Sequence, residues 1–193
     1  MYPNKNLLIN LAKAENLIWD LLAQGVVNKR SEFHCPTLST TNKNKLNSRT
    51  IILRKVIESQ KTLFFYTDIR SKKISDIISN KNALIHVYYN RYKLQVQFYG
   101  KAFIENKNKN TKMIWERFKD FQKINYISKN KPGVIIKSDE AKYYKNIEIG
   151  YNNFTLIIFK INRIECLQLN SVKNSRAEFI YKSNSTTRNR LAP

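Results

Sequence analysis

The 193-residue sequence has little of what several common chemistries require. Its two cysteines, Cys35 and Cys166, lie far apart and form no CxxC pair, a pattern that suits a reducing cytosol. His34 and His86 are its only histidines, and no ligand spacing joins them to the cysteines, so no metal site is expected. Four glycines, none in a glycine-rich turn, leave no dinucleotide fingerprint. No apolar run approaches the ~18–20 residues of a membrane helix. The first residues are interrupted by Lys5, Asn6, Lys13 and Glu15, so no secretory signal is read there and the expected location is cytoplasmic.

Acidic side chains are the other scarcity. Against 14 Asp and Glu stand 35 Lys and Arg, a formal net charge of +21. Such a balance ordinarily raises nucleic acid or another polyanion as partner. Here the lysines are spread through loops and helix faces instead of forming one basic block, which favours a compositional bias over a nucleic-acid partner. Part of the surplus would also serve a phosphate-bearing ligand. A hydrophobic share of 42% argues against disorder, and the length is that of one domain able to bury its own core.

What is present is a chain of short strands with a few helices. Asn6–Gly25 reads as an amphipathic helix, with Leu7, Leu8, Leu11, Leu17, Ile18, Leu21 and Leu22 on one stripe and Trp19 at its edge. Glu32–Thr41 reads as the first strand, with His34 structural within it, and Asn42–Asn47 as a polar turn. The strand carrying Gln95 is expected to continue to Ile104, with a loop over Glu105–Thr111. Helices are expected over Thr111–Phe121, as a short turn at Ile124–Ser128, and from the Ser138 cap to Gly150. Phe154–Ile161 is a strand that Arg163–Leu169 continues or pairs with. Arg176–Lys182 is read as the closing strand and Thr186–Pro193 as a tail. One domain over residues 1–193 is expected, made of the N-terminal helix (1–28), a strand-rich core (32–104), a helical insertion (105–150), and closing strands with the tail (151–193).

The most patterned stretch is Ser48–Gly100. Arg49-Thr50-Ile51-Ile52-Leu53-Arg54 is apolar and β-branched between two arginines. It reads as one core strand whose alternation sends Arg49 and Arg54 to opposite faces. Leu63–Thr67 is a second strand ending in hydroxyls. Asp68–Lys73 turns into a helix, Lys73–Ser79, whose start gathers backbone N–H groups, Ser71, Lys72 and Lys73 into an anion seat. Strands Ala83–Tyr89 and Lys93–Gly100 follow, the second carrying Gln95 and Gln97. Singly, each of these residues is an ordinary strand-end charge or solvated helix face; their joint order is informative.

That order resembles the pyridoxamine-5'-phosphate-oxidase-like flavoproteins. The resemblance rests on R-T-I-I-L-R (Arg49–Arg54), F-Y-T-D-x-R-S-K-K (Phe65–Lys73) and L-Q-V-Q-x-x-G (Leu94–Gly100), and on the ending Arg190-Leu-Ala-Pro193. It implies a mostly β fold with flanking helices (α+β), an FMN-binding split β-barrel of Greek-key type, and a homodimer whose flavin contacts come from both chains. The FMN-binding positions it implies are Arg49, Thr50, Ile51, Ile52, Leu53, Arg54, Tyr66, Thr67, Ser71, Lys72, Lys73 and Gln95. Their chemistry agrees: cations and N–H donors for the phosphate, an arginine for the charge that reduction places on the ring, and an amide for the pyrimidine edge.

The substrate half departs from the pattern. Where the family's vitamin-pathway oxidases grip a substrate phosphate with Lys, Tyr, Arg and Ser, this chain has Arg54, Met113, Arg117 and Phe121. The C-terminal Trp and Arg-Leu-His run become Leu167 and Asn174–Glu178, leaving Arg54, Arg117 and Arg176 as candidate substrate contacts. The expected function is therefore FMN binding, with oxidoreduction of an unidentified small molecule. The alternatives are a pyridoxine/pyridoxamine 5'-phosphate oxidase, and a cofactor-free barrel binding nucleic acid or another polyanion with Tyr88, Tyr89 and Tyr92 as stacking surfaces.

Overall fold

The computed structural model describes residues 6–136, 142–183 and 185–193. Strand alternation is clearest in Leu94–Glu105, where Leu94, Val96, Phe98 and Ala102 are buried and Gln95, Gln97 and Tyr99 face the other way. Among the described residues nine such strands form one sheet: β1 (Thr37–Asn42), β2 (Lys45–Thr50), β3 (Leu53–Ile57), β4 (Thr62–Asp68), β5 (Asn82–Tyr89), β6 (Leu94–Glu105), β7 (Phe154–Gln168), β8 (Ser175–Lys182) and β9 (Ser185–Leu191). Their order is β2-β1-β5-β6-β7-β4-β3, with β8 on β7 and β9 on β8, and every pair is antiparallel.

This order forces the sheet to curl. β2 and β3 stand at opposite ends of it, yet only Ile51 and Ile52 separate Thr50 from Leu53. Three Cα steps span at most about 11 Å. Six strand spacings laid flat would need about 29 Å. The ends must therefore meet, and the fold is a split β-barrel with flanking helices. The expectation that Arg49–Arg54 forms a single strand fails at this corner. β2 ends at Thr50, the Ile51 N–H bonds to the Pro36 carbonyl at 3.0 Å, and Ile51 and Leu53 both enter the core. Arg49 and Arg54 do face different surroundings, but because they lie on separate strands at the two ends of the sheet.

Other boundaries move for local reasons. Residues Glu32–His34 form a 3-10 turn instead of strand, since Ser31 caps the Phe33 N–H and His34 Nδ1 lies 2.6 Å from the Gly25 carbonyl oxygen. The expected turn at Asn42–Asn47 is a two-residue hairpin at Lys43-Asn44, with Asn42 paired to Lys45. The first long helix, α1 (Leu11–Val27), starts later than expected because Asn10 caps it after a 3-10 turn at Leu7–Ile9. Trp19 packs fully buried in the core, and its Nε1–H donates to Tyr181 Oη. Arg163–Leu169 continues the preceding strand as far as Gln168, and the expected tail is the edge strand β9.

Among the described residues there are three further α-helices: α2 (Lys72–Ser79), α3 (Lys109–Glu116) and α4 (Asp120–Lys123). The expected helix to Phe121 stops early because Lys119 is extended, with ψ at 156°. The Ser138 cap lies outside the described residues, and residues 142–146 are not helical; a 3-10 helix covers Ile147–Asn152. No described helix is long and apolar enough to cross a membrane. α1 and α2 pack against the barrel core, whereas Trp115, Tyr126 and Phe154 build a second cluster with Tyr66 and Phe118 on the outer face of β4 and β7.

Candidate functional site: a cationic cradle and an outer cleft

α2 begins where β4 ends, and the turn between them is built by two hydrogen-bonded knots. Arg70 grips Asp68 with Nε (3.0 Å to Oδ1) and Nη2 (2.6 Å to Oδ2), which neutralises that acid. Ser71, at the cap position, gives its hydroxyl to the Asp68 carbonyl at 2.7 Å, so the first turn of α2 has no side-chain cap, and the Ile74 N–H bonds to the Ser71 carbonyl at 2.9 Å. Lys73 donates to Thr67 Oγ1 at 3.0 Å and Ser71 Oγ at 3.2 Å, and no acid pairs with it among the described residues. Burial pushes its ammonium below the ordinary lysine value, and the nearby charge of Arg49 pushes in the same direction.

Arg49 comes to this place from β2. Its Nη1 donates to Thr40 Oγ1 (2.6 Å) and the Leu38 carbonyl (3.3 Å), and its Nη2 reaches Asp76 Oδ2 at 3.4 Å. Asp76 is wholly buried on α2; Thr40 and Asn47 also donate to its Oδ2, while its Oδ1 has no hydrogen-bond partner among the described residues. Burial lowers the Arg49 pKa against the pull of Asp76. Lys72 is exposed beside the cradle and lines an adjoining cleft of about 470 Å³ with Asn42, Lys43, Asn44, Lys45 and Asn47.

A phosphate dianion fits this arrangement. Arg49, bound to Asp76, and Lys73, with no acid paired to it among the described residues, are two partly buried cations that repel one another beside the uncapped start of α2. An anion relieves both charges at once.

The remaining predicted residues divide. Ile51 and Leu53 turn their side chains into the core, so only their backbone can meet a ligand; Thr50, Ile52 and Arg54 are exposed. A register shift between Leu53 and Lys55 turns both Arg54 and Lys55 outward, the behaviour of a β-bulge. The Arg54 guanidinium lies 5.6 Å from the centre of the Tyr66 ring, whose pKa is raised by burial against the charges of Arg54 and Arg117.

Gln95 is not near the cradle within one chain. Cross-strand partners share a face. Arg49 stands opposite Leu38, then Ile85 and Phe98, the buried row, whereas Gln95 lies in the outward row Tyr88, Gln95, Leu167, Arg176. Arg176 joins Gln95 there and not Arg54 or Arg117; its guanidinium is bound to Glu165 through Nε (2.9 Å) and Nη2.

Sequence reasoning missed Asp76, Thr40 and Asn47. An acid beside the buried Ile74 and Ile77 of α2 was the available signal. It also missed Lys55 and a cleft of about 320 Å³ on the outer face, lined by Lys55, Phe64, Tyr66, Leu156 and Ile158 of the sheet, by Glu105, and by Asn110, Met113, Ile114 and Arg117 at α3.

The class these features define is an antiparallel split barrel with a cluster of cations at a helix start. Residues 16–106, just under half of the chain, match the family described as pyridoxamine 5'-phosphate oxidase, FMN-binding domain. The resemblance to the pyridoxamine-5'-phosphate-oxidase-like split barrels therefore holds in sequence and in fold. A pyridoxamine 5'-phosphate oxidase-related, FMN binding protein from Nostoc punctiforme is similar at TM-score 0.74 and 19% identity, over 92% of this chain and 96% of that one. PhzG from Burkholderia lata, in complex with tetrahydrophenazine-1-carboxylic acid, is similar at 0.68 and 18%, over 93% and 92%. General Stress Protein 26 from Bacillus anthracis is similar at 0.50 and 18%, over 79% and 98%. No curated protein matches the sequence.

Proposed function

We propose that this protein binds FMN and is an FMN-dependent oxidoreductase acting on a small molecule. The observation that carries the reading is the cradle: two mutually repelling cations, Arg49 and Lys73, held beside the uncapped start of α2 in the stretch that matches the FMN-binding family. In this reading Arg49, Ser71, Lys72, Lys73 and Thr67 would hold the phosphate, and the backbone of Thr50–Leu53 with Arg54, set over Tyr66, would hold the flavin ring. When bound, FMN supplies hydride and electron transfer, so no side-chain acid or base is required of this chain. A cation at the pyrimidine end favours the charge that reduction leaves there.

Gln95 faces away from its own chain's cradle, so its proposed role is in a homodimer, where each chain presents Gln95 to its partner's flavin. The polyanion-binding alternative has less to stand on. Tyr89 and Tyr92 pack on each other and on the barrel core, with Tyr89 also edge-on to Phe33, and only Tyr88 of the three is exposed.

The test is the cofactor content of the purified protein. Flavin absorption, with FMN identified by chromatography after heat release, is the expected result. A colourless protein that takes up no added FMN overturns the reading.

A further inference from the structure

The cleft between α3 and the outer face of the sheet has a chemistry of its own. Its floor is two cross-strand rows, Glu105–Leu156–Tyr66 and Ile158–Phe64–Lys55, each on one face of the sheet. Phe64, Leu156 and Ile158 make the floor flat and apolar, and Met113 and Ile114 of α3 form an apolar wall. We propose that this cleft receives the substrate, and that the substrate is a flat apolar molecule carrying a single negative charge, an aromatic monocarboxylate in kind; this rests on the FMN-dependent reading above.

Three observations set the charge. The lining holds two cations, Lys55 and Arg117, and one acid, Glu105, a net of +1. Glu105 is already engaged by the amides of Asn108 (3.0 Å) and Asn110 (3.3 Å). Neither Lys55 nor Arg117 pairs with an acid among the described residues; the Lys55 ammonium instead lies 5.5 Å from the centre of the Phe64 ring. One anionic group at the mouth balances the cleft.

A phosphate dianion does not suit it. Its three acceptor oxygens ask for several donors, and the position on α3 facing the cleft beside Arg117 is Met113, which has none. Phe121, in α4, is mostly exposed and is not among the lining residues. The volume, about 320 Å³, lies at the small end of ligand pockets. Arg54, stacked on Tyr66, joins this cleft to the segment that would flank the flavin.

Titration of the FMN-loaded protein with 1-naphthoate, 1-naphthalenemethanol and pyridoxine 5'-phosphate tests the class, with Lys55→Met and Arg117→Met as variants at exposed positions. Naphthoate should bind about tenfold more tightly than either of the others, equivalent to ~1.4 kcal/mol. Each variant should lose most of that preference and leave the alcohol's affinity within about twofold, the effect of one lost charge contact at a partly exposed site. Equal affinity for carboxylate and alcohol, tighter binding of the phosphate, or unchanged naphthoate binding in both variants overturns the proposal. The same titration without FMN, with FMN uptake followed separately by quenching of its fluorescence, keeps the two readings apart. Naphthoate selectivity without FMN uptake would sink the flavin reading and leave the ligand class standing.

Discussion

At the scale of single residues, Lys73 is a side chain whose environment opposes its charge. Its folded pKa is depressed by burial and by Arg49, so the unfolded chain binds the extra proton between the folded and unfolded values. In that window the stability of the cofactor-free protein should rise with pH. FMN affinity should run the opposite way, falling as pH rises through the folded Lys73 value, which lies below the ordinary lysine range, because the phosphate needs the ammonium. Lys73→Met should flatten both slopes. It should also weaken FMN by about one to two powers of ten, from ~1.5–3 kcal/mol for a charge-assisted contact, while changing riboflavin affinity less than about threefold. Paired titrations of FMN and riboflavin across pH 7–10 read all of this; equal losses for the two flavins would move the phosphate elsewhere.

At the scale of elements, the bend between β6 and β7 is the most exacting. The register shifts between Tyr99 and Gly100, so that Tyr99 pairs with Arg163 and Gly100 with Ile161. There the strands approach so closely that a Cβ on Gly100 would stand 2.1 Å from the Lys160 carbonyl oxygen. Backbone cannot yield as a flexible side chain does. Gly100→Ala should therefore cost about 3 kcal/mol, the upper end for overpacking, and lower Tm by about 6–12 °C at this chain length. Lys101→Ala, at the exposed neighbouring position, should shift Tm by little. Thermal melts of the two variants, compared by calorimetry, check the contrast. Gly100 was visible in the sequence as part of L-Q-V-Q-x-x-G, but the reason for a glycine there was not, because the atom it avoids lies sixty residues away in β7.

At the scale of the whole molecule, the split of the site between two faces of the sheet leads to an expectation about assembly. If Gln95 serves the partner's flavin, an Arg49→Met chain and a Gln95→Leu chain, each weak alone, should complement when mixed. Random exchange makes half of the dimers mixed, and each mixed dimer has one site with both residues intact, so about one quarter of all sites should regain full affinity. Without recovery, Gln95 and Arg49 would serve the same chain. Light scattering of the FMN-loaded protein should show a dimer at micromolar concentration, with an interface on the order of 1,600 Å² or larger; a loaded monomer would exclude the arrangement.

By itself the sequence determined the strand alternation, the helix start at Ser71-Lys72-Lys73, the order of the three motifs and the cations of the cradle, since these are local patterns written within a few consecutive residues. Tertiary structure alone decided what depends on distant partners. The run Arg49–Arg54 has the composition of one strand, and it breaks at Ile51-Ile52 only because the barrel must close there. Asp76 became the partner of Arg49 because α2 lies over β1 and β2, and Lys55 turned toward α3 because a bulge shifted its register against β4. Arg176, a free cation in the sequence, is bound to Glu165 because β8 pairs with the far half of β7, a pairing set by closure and register that no window of neighbouring residues contains.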